Sequence, residues 1–313
     1  MRVLVTGATG LVGSHAAEAL ALAGHDVRVT VRRQSDLRWL DGRPFERVEF
    51  DLDHPTRLPP ALAGVDTVVH AAGITRARRD AEYGRVNVEG TRTILAGAVA
   101  AGVRHVVLIS SLAARGPDQA TDAISPYGAS KRRAERVAAS FADRIALTTL
   151  AVGGVYGPRD TDLLPLFALA RRGLVPVPAR DLTIQPIYVG DLADLIAHVV
   201  TQPLGVGPWP VAEASRYPWS EVARHLADAF GRPVRPLHLP GAAFEILALA
   251  AEGVARLRRE TPLLDRRRAR DLAAYSYTCD TSATEAASGW RAQVRLPEGL
   301  VRTARWYREH GWL

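Results

Sequence analysis

Tyr127 and Lys131 stand four residues apart in YGASK, and Lys131 is the only lysine in a chain whose other basic side chains are arginine. At that spacing on a helix the two side chains share one face. A phenol of ordinary pKa about 10 exchanges protons poorly at neutral pH, but a neighbouring ammonium stabilises its phenolate and brings it into range. Arginine does not tune a neighbour as a compact ammonium does. The pair therefore reads as a proton-transfer device. Ser111, at the end of the apolar run RHVVLISS, adds a hydroxyl that can hydrogen-bond the substrate oxygen gaining or losing the proton. Ser110 is the second choice. Taken alone, Y-x-x-x-K is a common accident, and the bland alternative makes Tyr127 a capping aromatic and Lys131 a surface charge. The place in the chain decides.

Strand candidates at 2–6, 26–31, 47–50, 66–70, 104–110 and 145–152 set that place, with helix candidates at 12–23, 56–62, 81–101 and 126–142 between them. Near-continuously apolar strands separated by helices predict an α/β fold with a doubly wound parallel sheet, covered on both faces. Ser111 then lies at the carboxyl edge, where such sheets bind ligands. Gly7, Gly10 and Gly13 in TGATGLVG follow the first strand and open the first helix, with Thr9, Leu11 and Val12 in the same turn. A strand, a tight glycine turn and a helix N-terminus together make a pyrophosphate cradle. The second strand ends at Val31 and is followed by Arg32 and Arg33. An acidic residue there would read a free ribose 2′-hydroxyl, whereas guanidiniums suit a 2′-phosphate. NADP is the expected cofactor, NAD the second. The competing explanation is two solvated arginines in an arginine-rich chain.

The alternation weakens after residue 157, so 1–157 reads as the Rossmann-type domain, completed by 180–202, and 158–313 as a smaller substrate-binding region. Helices are expected there at 190–201, 219–230, 241–258 and 295–308. The 241–258 segment is rich in Ala and Leu but carries Glu245 and Glu252; it is too short and too charged to span a bilayer and reads as a lid or a membrane-surface helix. The net charge of +7 invites a nucleic-acid partner. The basic residues are scattered, though, and the one dense stretch, 254–270, lacks interleaved aromatics, so no nucleic-acid partner is expected. Cys279 is the single cysteine, which excludes an intrachain disulfide, and no secretory signal is visible; a cytoplasmic location is expected. His15, His25, His54, His70 and His105 show no metal-ligand spacing.

With these residues in hand, the chain resembles the extended short-chain dehydrogenase/reductases of the NAD-dependent epimerase/dehydratase family. Several motifs in order carry the resemblance: TGATGLVG at 6–13, Asp51-Leu52, HAAG at 70–73, NVEGT at 87–91, SSLAARG at 110–116, YGASK at 127–131, GVYGP at 154–158 and IYVGDLA at 187–193. It implies that Asp51 and Leu52 contact the adenine and that Ala71, Ala72 and Gly73 line the dinucleotide. Asn87 would support the nicotinamide side. Tyr127 would be the acid-base, Lys131 would bind the nicotinamide ribose, and Ser111 would polarise the substrate. It also implies pairing into a homodimer through the helices at 81–101 and 126–142.

Departures from the family pattern narrow the substrate. Ala151, Val152 and Gly154 stand where sugar-nucleotide members carry an R-P pair and an Asn, and Ile184 stands where an Arg often grips the diphosphate. Arg180 substitutes only if its loop is rearranged. The loss of a bidentate phosphate ligand argues against a standard NDP-sugar. The expected function is hydride exchange with a secondary alcohol or ketone on an apolar molecule, catalysed by an oxidoreductase or, if the keto intermediate stays bound, an epimerase. Leu112 and Ala113 after Ser111 disfavour dehydration. The alternatives are an NDP-sugar epimerase and a non-catalytic NADPH-binding subunit resembling the complex I accessory type. An NADP-sensing regulator ranks last, since it would lose Tyr127.

Overall fold

Val3, Leu4 and Val5 of strand β1 (Arg2–Thr6) are fully buried, which requires cover on both faces of the sheet they belong to. The computed structural model of the chain describes residues 1–52, 57–117, 122–258 and 266–313 and shows that cover. His54, Thr56 and the 259–265 part of the basic stretch lie outside the described residues. Strands β2 (Asp26–Val31), β3 (Glu46–Glu49), β4 (Thr67–His70), β5 (His105–Ser111), β6 (Ala146–Val152) and β11 (Trp209–Val211) join β1 in one parallel sheet of order β11-β6-β5-β4-β1-β2-β3. This is the doubly wound arrangement. Its strand order reverses between β1 and β4, so a crevice opens above Thr6 and His70 at their carboxyl ends. The seventh strand comes from the Trp- and Pro-rich segment near 205–210, which carries no strand signal in sequence.

Alternate residues of each strand feed two cores. Val3, Val5, Val29, Val107 and Ile109 pack on one face against helices α1 (Leu11–Leu22) and α7 (Val189–Thr201), through Ala16, Leu20, Leu192 and Ile196. Leu4, Val68, Val106 and Leu108 pack on the other against α2 (Leu58–Leu62), α4 (Gly90–Ala100) and α5 (Pro126–Ala139), through Leu62, Leu95 and Val137. Truncating Leu20 or Leu95 to Ala would cost about 2–5 kcal/mol. The helix expected at 81–101 is built in three parts: α3 (Asp80–Tyr83), a π-helical turn over Gly84–Glu89 and α4. The turn brings Asn87 inward. Pi turns of this kind recur at functional sites.

A third core fills the C-terminal region. Strand β7 (Gly154–Tyr156) pairs with β10 (Pro186–Tyr188), β9 (Thr183–Ile184) with β12 (Tyr217–Pro218), and β8 (Leu174–Pro178) with β13 (Arg235–Leu239). Helices α6 (Leu164–Arg171), α8 (Trp219–Phe230) and α12 (Leu296–Glu309) close over them around Tyr156, Phe167, Leu226 and Tyr307. Buried carboxylates tie this region to the sheet: Asp191 accepts from the Gln293 and Val294 amides at 2.9 and 2.8 Å, and Glu213 accepts from the Leu296 amide at 2.8 Å. Asp191 of IYVGDLA therefore has a structural partner. Helices α9 (Gly241–Arg258) and α10 (Arg266–Ala274) form a hairpin with a small core of its own, Phe244, Ala248 and Ala269, and α11 (Ser282–Ser288) precedes the final helix.

Candidate active site

The turn after β1 is dictated by lack of room. Gly7 has φ +72°, and a Cβ there would meet the Ala72 amide at 2.6 Å; a Cβ at Gly13 would meet the Gly7 carbonyl oxygen at 2.2 Å. The chain can therefore draw the N-terminus of α1 against the end of β4 only with glycine at both positions. Gly10 precedes α1, whose first turn holds no acidic residue and whose N-terminus has no side-chain cap. The free amides face a cleft of about 1810 Å³ lined by Gly7, Thr9, Gly10, Leu11, Val12 and Gly13 on this side. Open amides with a positive dipole end suit a pyrophosphate, and the glycine cradle fits a dinucleotide.

Ser111, Tyr127 and Lys131 line the same cleft, as do Ala71 and Gly73. Ser125 caps α5 by accepting from the Gly128 amide at 3.1 Å, with Pro126 in the first turn, so the helix begins one residue before Tyr127. A Cβ at Gly128 would lie 2.2 Å from the Ala113 carbonyl oxygen, which locks this first turn against the Leu112–Arg115 turn that follows Ser111. Lys131 is 9% exposed and donates to the Ile109 carbonyl at 2.6 Å. Burial lowers its pKa to about 8, with Glu135 pulling the other way. The Tyr127 ring lies 6.2 Å from that of Tyr83.

Asn87 braces the floor. It accepts from the Ile74 amide at 2.8 Å and donates to the Ile74 carbonyl at 3.0 Å and to the Ser130 hydroxyl at 2.9 Å. It thus fixes the strand-to-loop exit at Gly73 against α5. Ala72 has its amide 3.3 Å from the Thr6 hydroxyl, which also meets His70 Nδ1 at 2.7 Å. Burial and the charge of Lys131 push the His70 pKa down to about 3, so this histidine is a neutral structural residue of the crevice.

The structure separates the two serines. Both line the cleft; Ser111 accepts from the Ala113 amide at 3.2 Å. Ser110 donates to Glu135, which is also paired with Arg115 at 2.7 Å, so its hydroxyl is committed to a partly buried ion pair. Other expected residues lie outside the cleft. Arg32 and Arg33 follow β2 as exposed side chains; the lining on that side is instead Asp36, Arg38 and Trp39. Asp51 and Leu52 follow β3, with Leu52 packed where a Cβ on Gly90 would lie.

Several cleft residues have no signal in sequence. Arg159 has φ +71°, holds Glu18 of α1 at 2.7 and 2.9 Å and lies over the Trp39 ring. Arg76 pairs with Asp162 at 3.0 Å, and Arg267 with Asp80 at 2.8 Å, 187 residues apart. Glu135 could have been found: it stands four residues after Lys131 on the same helix face. Ile184 lines the cleft, while Arg180 is exposed and is not part of the lining.

Comparison with known proteins agrees with this geometry. The model of the NAD dependent epimerase/dehydratase family matches residues 3–208, and the chain belongs to that family. It is 34% identical to a protein described as ceramide reductase from Caulobacter vibrioides, over 99% of this chain and 96% of the relative. A sterol demethylase protein B from Methylococcus capsulatus is 42% identical over 42% of this chain and 38% of its own length. Among solved structures, MoeE5 in complex with UDP-glucose and NAD superposes with a TM-score of 0.79 at 25% identity, covering 99% of both chains.

Proposed function

We propose that this member of the NAD dependent epimerase/dehydratase family is a reductase, using NADP(H), of a ketone on a lipid-like molecule of the ceramide type. The observation that carries the reading is the convergence of Ser111, Tyr127 and a buried Lys131 on the cleft that also holds the open N-terminus of α1. The bound cofactor supplies the hydride through its nicotinamide ring. The protein positions and moves the proton. Ser111 donates a hydrogen bond to the carbonyl oxygen, polarising it. Tyr127 gives its hydroxyl proton to that oxygen as it becomes an alkoxide. Lys131, held between Ile109 and Gly73, steadies the phenolate left behind. Arg32 and Arg33, exposed at the end of β2, are the side chains proposed to meet a 2′-phosphate, with Asp51 and Leu52 toward the adenine.

Two features favour a lipid-like substrate over an NDP-sugar. Ile184 puts an apolar side chain in the cleft wall. Three of the arginines in that wall, Arg76, Arg159 and Arg267, are each held by a carboxylate, Asp162, Glu18 and Asp80. The full-length likeness to a ceramide reductase supports the same choice. A cytoplasmic location and a homodimer through α4 and α5 complete the proposal; light scattering tests the second.

The test is turnover. Purified protein with a long-chain 3-oxo-ceramide should consume NADPH, and UDP-glucose should give neither oxidation nor a 4-epimer. Epimerisation of UDP-glucose without net cofactor change would overturn the reading. Absence of turnover with any ketone, with NADPH held tightly, would favour a structural cofactor subunit. Arg32→Ala with Arg33→Ala should weaken NADPH while sparing NADH; equal loss of both would remove the cofactor assignment.

A further inference from the structure

Helix α9 leaves an apolar stripe on its outer side. Its charged residues within 241–253, Glu245 and Glu252, face α10: Arg270 grips Glu245 with two bonds of 3.0 Å, and the Arg266 amide donates to Glu252 at 2.9 Å. Phe244 and Ala248 are buried against Ala269. The opposite stripe, Ala242, Ile246, Leu249 and Gly253, runs at i, i+4, i+7 and i+11 and is exposed, Ile246 by 67% and Leu249 by 51%. No charge interrupts it. An ordinary surface helix carries polar side chains on its outer side.

The strand pair leading into α9 also exposes apolar side chains. Val175 and Val177 of β8 are fully buried, whereas Leu174 and, on β13, Leu237 are about half exposed, at 47% and 50%. Their register, Arg235 opposite Leu174 and Leu237 opposite Pro176, sets both leucines on one side. Beside them stand Arg171, Arg172, Arg232 and Arg235, all exposed and none in an ion pair among the described residues. Arg232 donates to the Arg171 carbonyl at 2.7 Å, which gathers the cluster.

We propose that this face, the outward stripe of α9 with the β8–β13 edge, docks on the surface of an anionic lipid bilayer. Apolar side chains beside unpaired arginines are the composition of an interfacial element, in which leucines enter the headgroup boundary and guanidiniums meet lipid phosphates. Among the described residues no helix is long and apolar enough to cross a membrane, so the element lies on the surface. A second copy of the chain is a poor occupant. A two-fold contact would set four arginines near four more in a chain of net charge +7. Arg266, Arg267 and Arg270 of α10 line the cleft, so the same hairpin joins the docking face to the site. The surface reading stands whatever the reaction is.

Flotation with vesicles tests it, in the absence of any substrate. Wild-type protein should float with phosphatidylcholine vesicles containing phosphatidylglycerol and far less with phosphatidylcholine alone. Ile246→Ser with Leu249→Ser should weaken binding by about tenfold or more, with an unchanged melting temperature because both side chains are already exposed. Arg171→Gln with Arg172→Gln should remove the preference for phosphatidylglycerol and give an independent reading if the first variant folds poorly. Equal flotation of wild type and both variants, or none with either lipid, would overturn the proposal. So would a wild-type dimer that Ile246→Ser with Leu249→Ser splits into monomers.

Discussion

The two walls of the cleft are made in different ways. The dinucleotide-side wall is fixed at Gly7 and Gly13 by backbone against backbone, with spaces that exclude even a methyl group. The wall opposite is carried by long side chains: Arg267 to Asp80, Arg270 to Glu245 and Arg76 to Asp162. Backbone close packing tolerates almost no change and holds a reacting group within tenths of an ångström. Exposed ion pairs are individually worth little and can be exchanged for others. The first wall suits chemistry that must not vary, and the second suits a substrate that differs among relatives.

The largest effect is expected on the fixed side of that division. Tyr127→Phe removes the transferable proton while keeping the ring, and should lower kcat by about 10²–10⁴-fold with cofactor affinity unchanged. Steady-state kinetics and NADPH titration check the two halves. A variant with near wild-type kcat would mean that the fixed wall holds no acid-base. Next comes Gly13→Ala. Its Cβ would lie 2.2 Å from a carbonyl oxygen that cannot swing away, so about 1–3 kcal/mol or more of strain is expected, read as a lower melting temperature and weaker NADPH binding. The same change at Gly253, on the exposed stripe of α9 with open space around it, should be neutral or stabilising.

The same division explains what could be read from sequence. The parallel sheet and the glycine turn are legible because near-continuous apolar strands separated by helices and forced glycines leave a local mark. The proposed catalytic set stands out in sequence because Lys131 is the sole lysine and follows Tyr127 by one helical turn, and the structure brings both to the cleft with Ser111. Ser110 and Ser111 are indistinguishable in sequence; only the packing of Glu135 and Arg115 separates them. β11 leaves no such mark because three residues of a Trp-Pro segment join the sheet only through β6, a distant partner. The Arg267–Asp80 pair spans 187 residues, and in so arginine-rich a chain no spacing rule selects it. Arg32 and Arg33 follow β2 but are absent from the cleft lining, which on that side includes Asp36, Arg38 and Trp39.

A pH profile sharpens the fixed wall further. Burial lowers the Lys131 pKa from 10.5 to about 8, so its ammonium is present below about pH 8 and is lost as pH rises through it. If that charge supports Tyr127, kcat/KM for reduction should be level below pH 8 and fall by about tenfold per unit above it. Unfolding does not account for such a fall. Between pH 8 and 10.5 the unfolded chain holds more protons at this residue than the folded one, so its contribution to stability rises with pH. A flat profile to pH 9 with a normal melting temperature would separate Lys131 from the rate.

The smallest effect belongs to the variable wall. Arg267 and Asp80 are both largely exposed, and such a pair contributes about 0–1 kcal/mol. Asp80→Asn should leave kcat and the melting temperature nearly unchanged. Its effect should fall on KM for a long-chain ketone, by about two- to fivefold, since what it loosens is the position of α10 over the cleft. Arg267→Gln should move KM in the same direction, and the two together should fall short of the sum of the single effects, because both break the Asp80–Arg267 contact. The direction of the KM change reports what the pair does: a fall means that it obstructs access to the cleft, and a rise means that it helps to hold substrate. A kcat loss comparable to that of Tyr127→Phe would place the hairpin in the catalytic frame, and the contrast between a fixed and an adjustable wall would no longer hold.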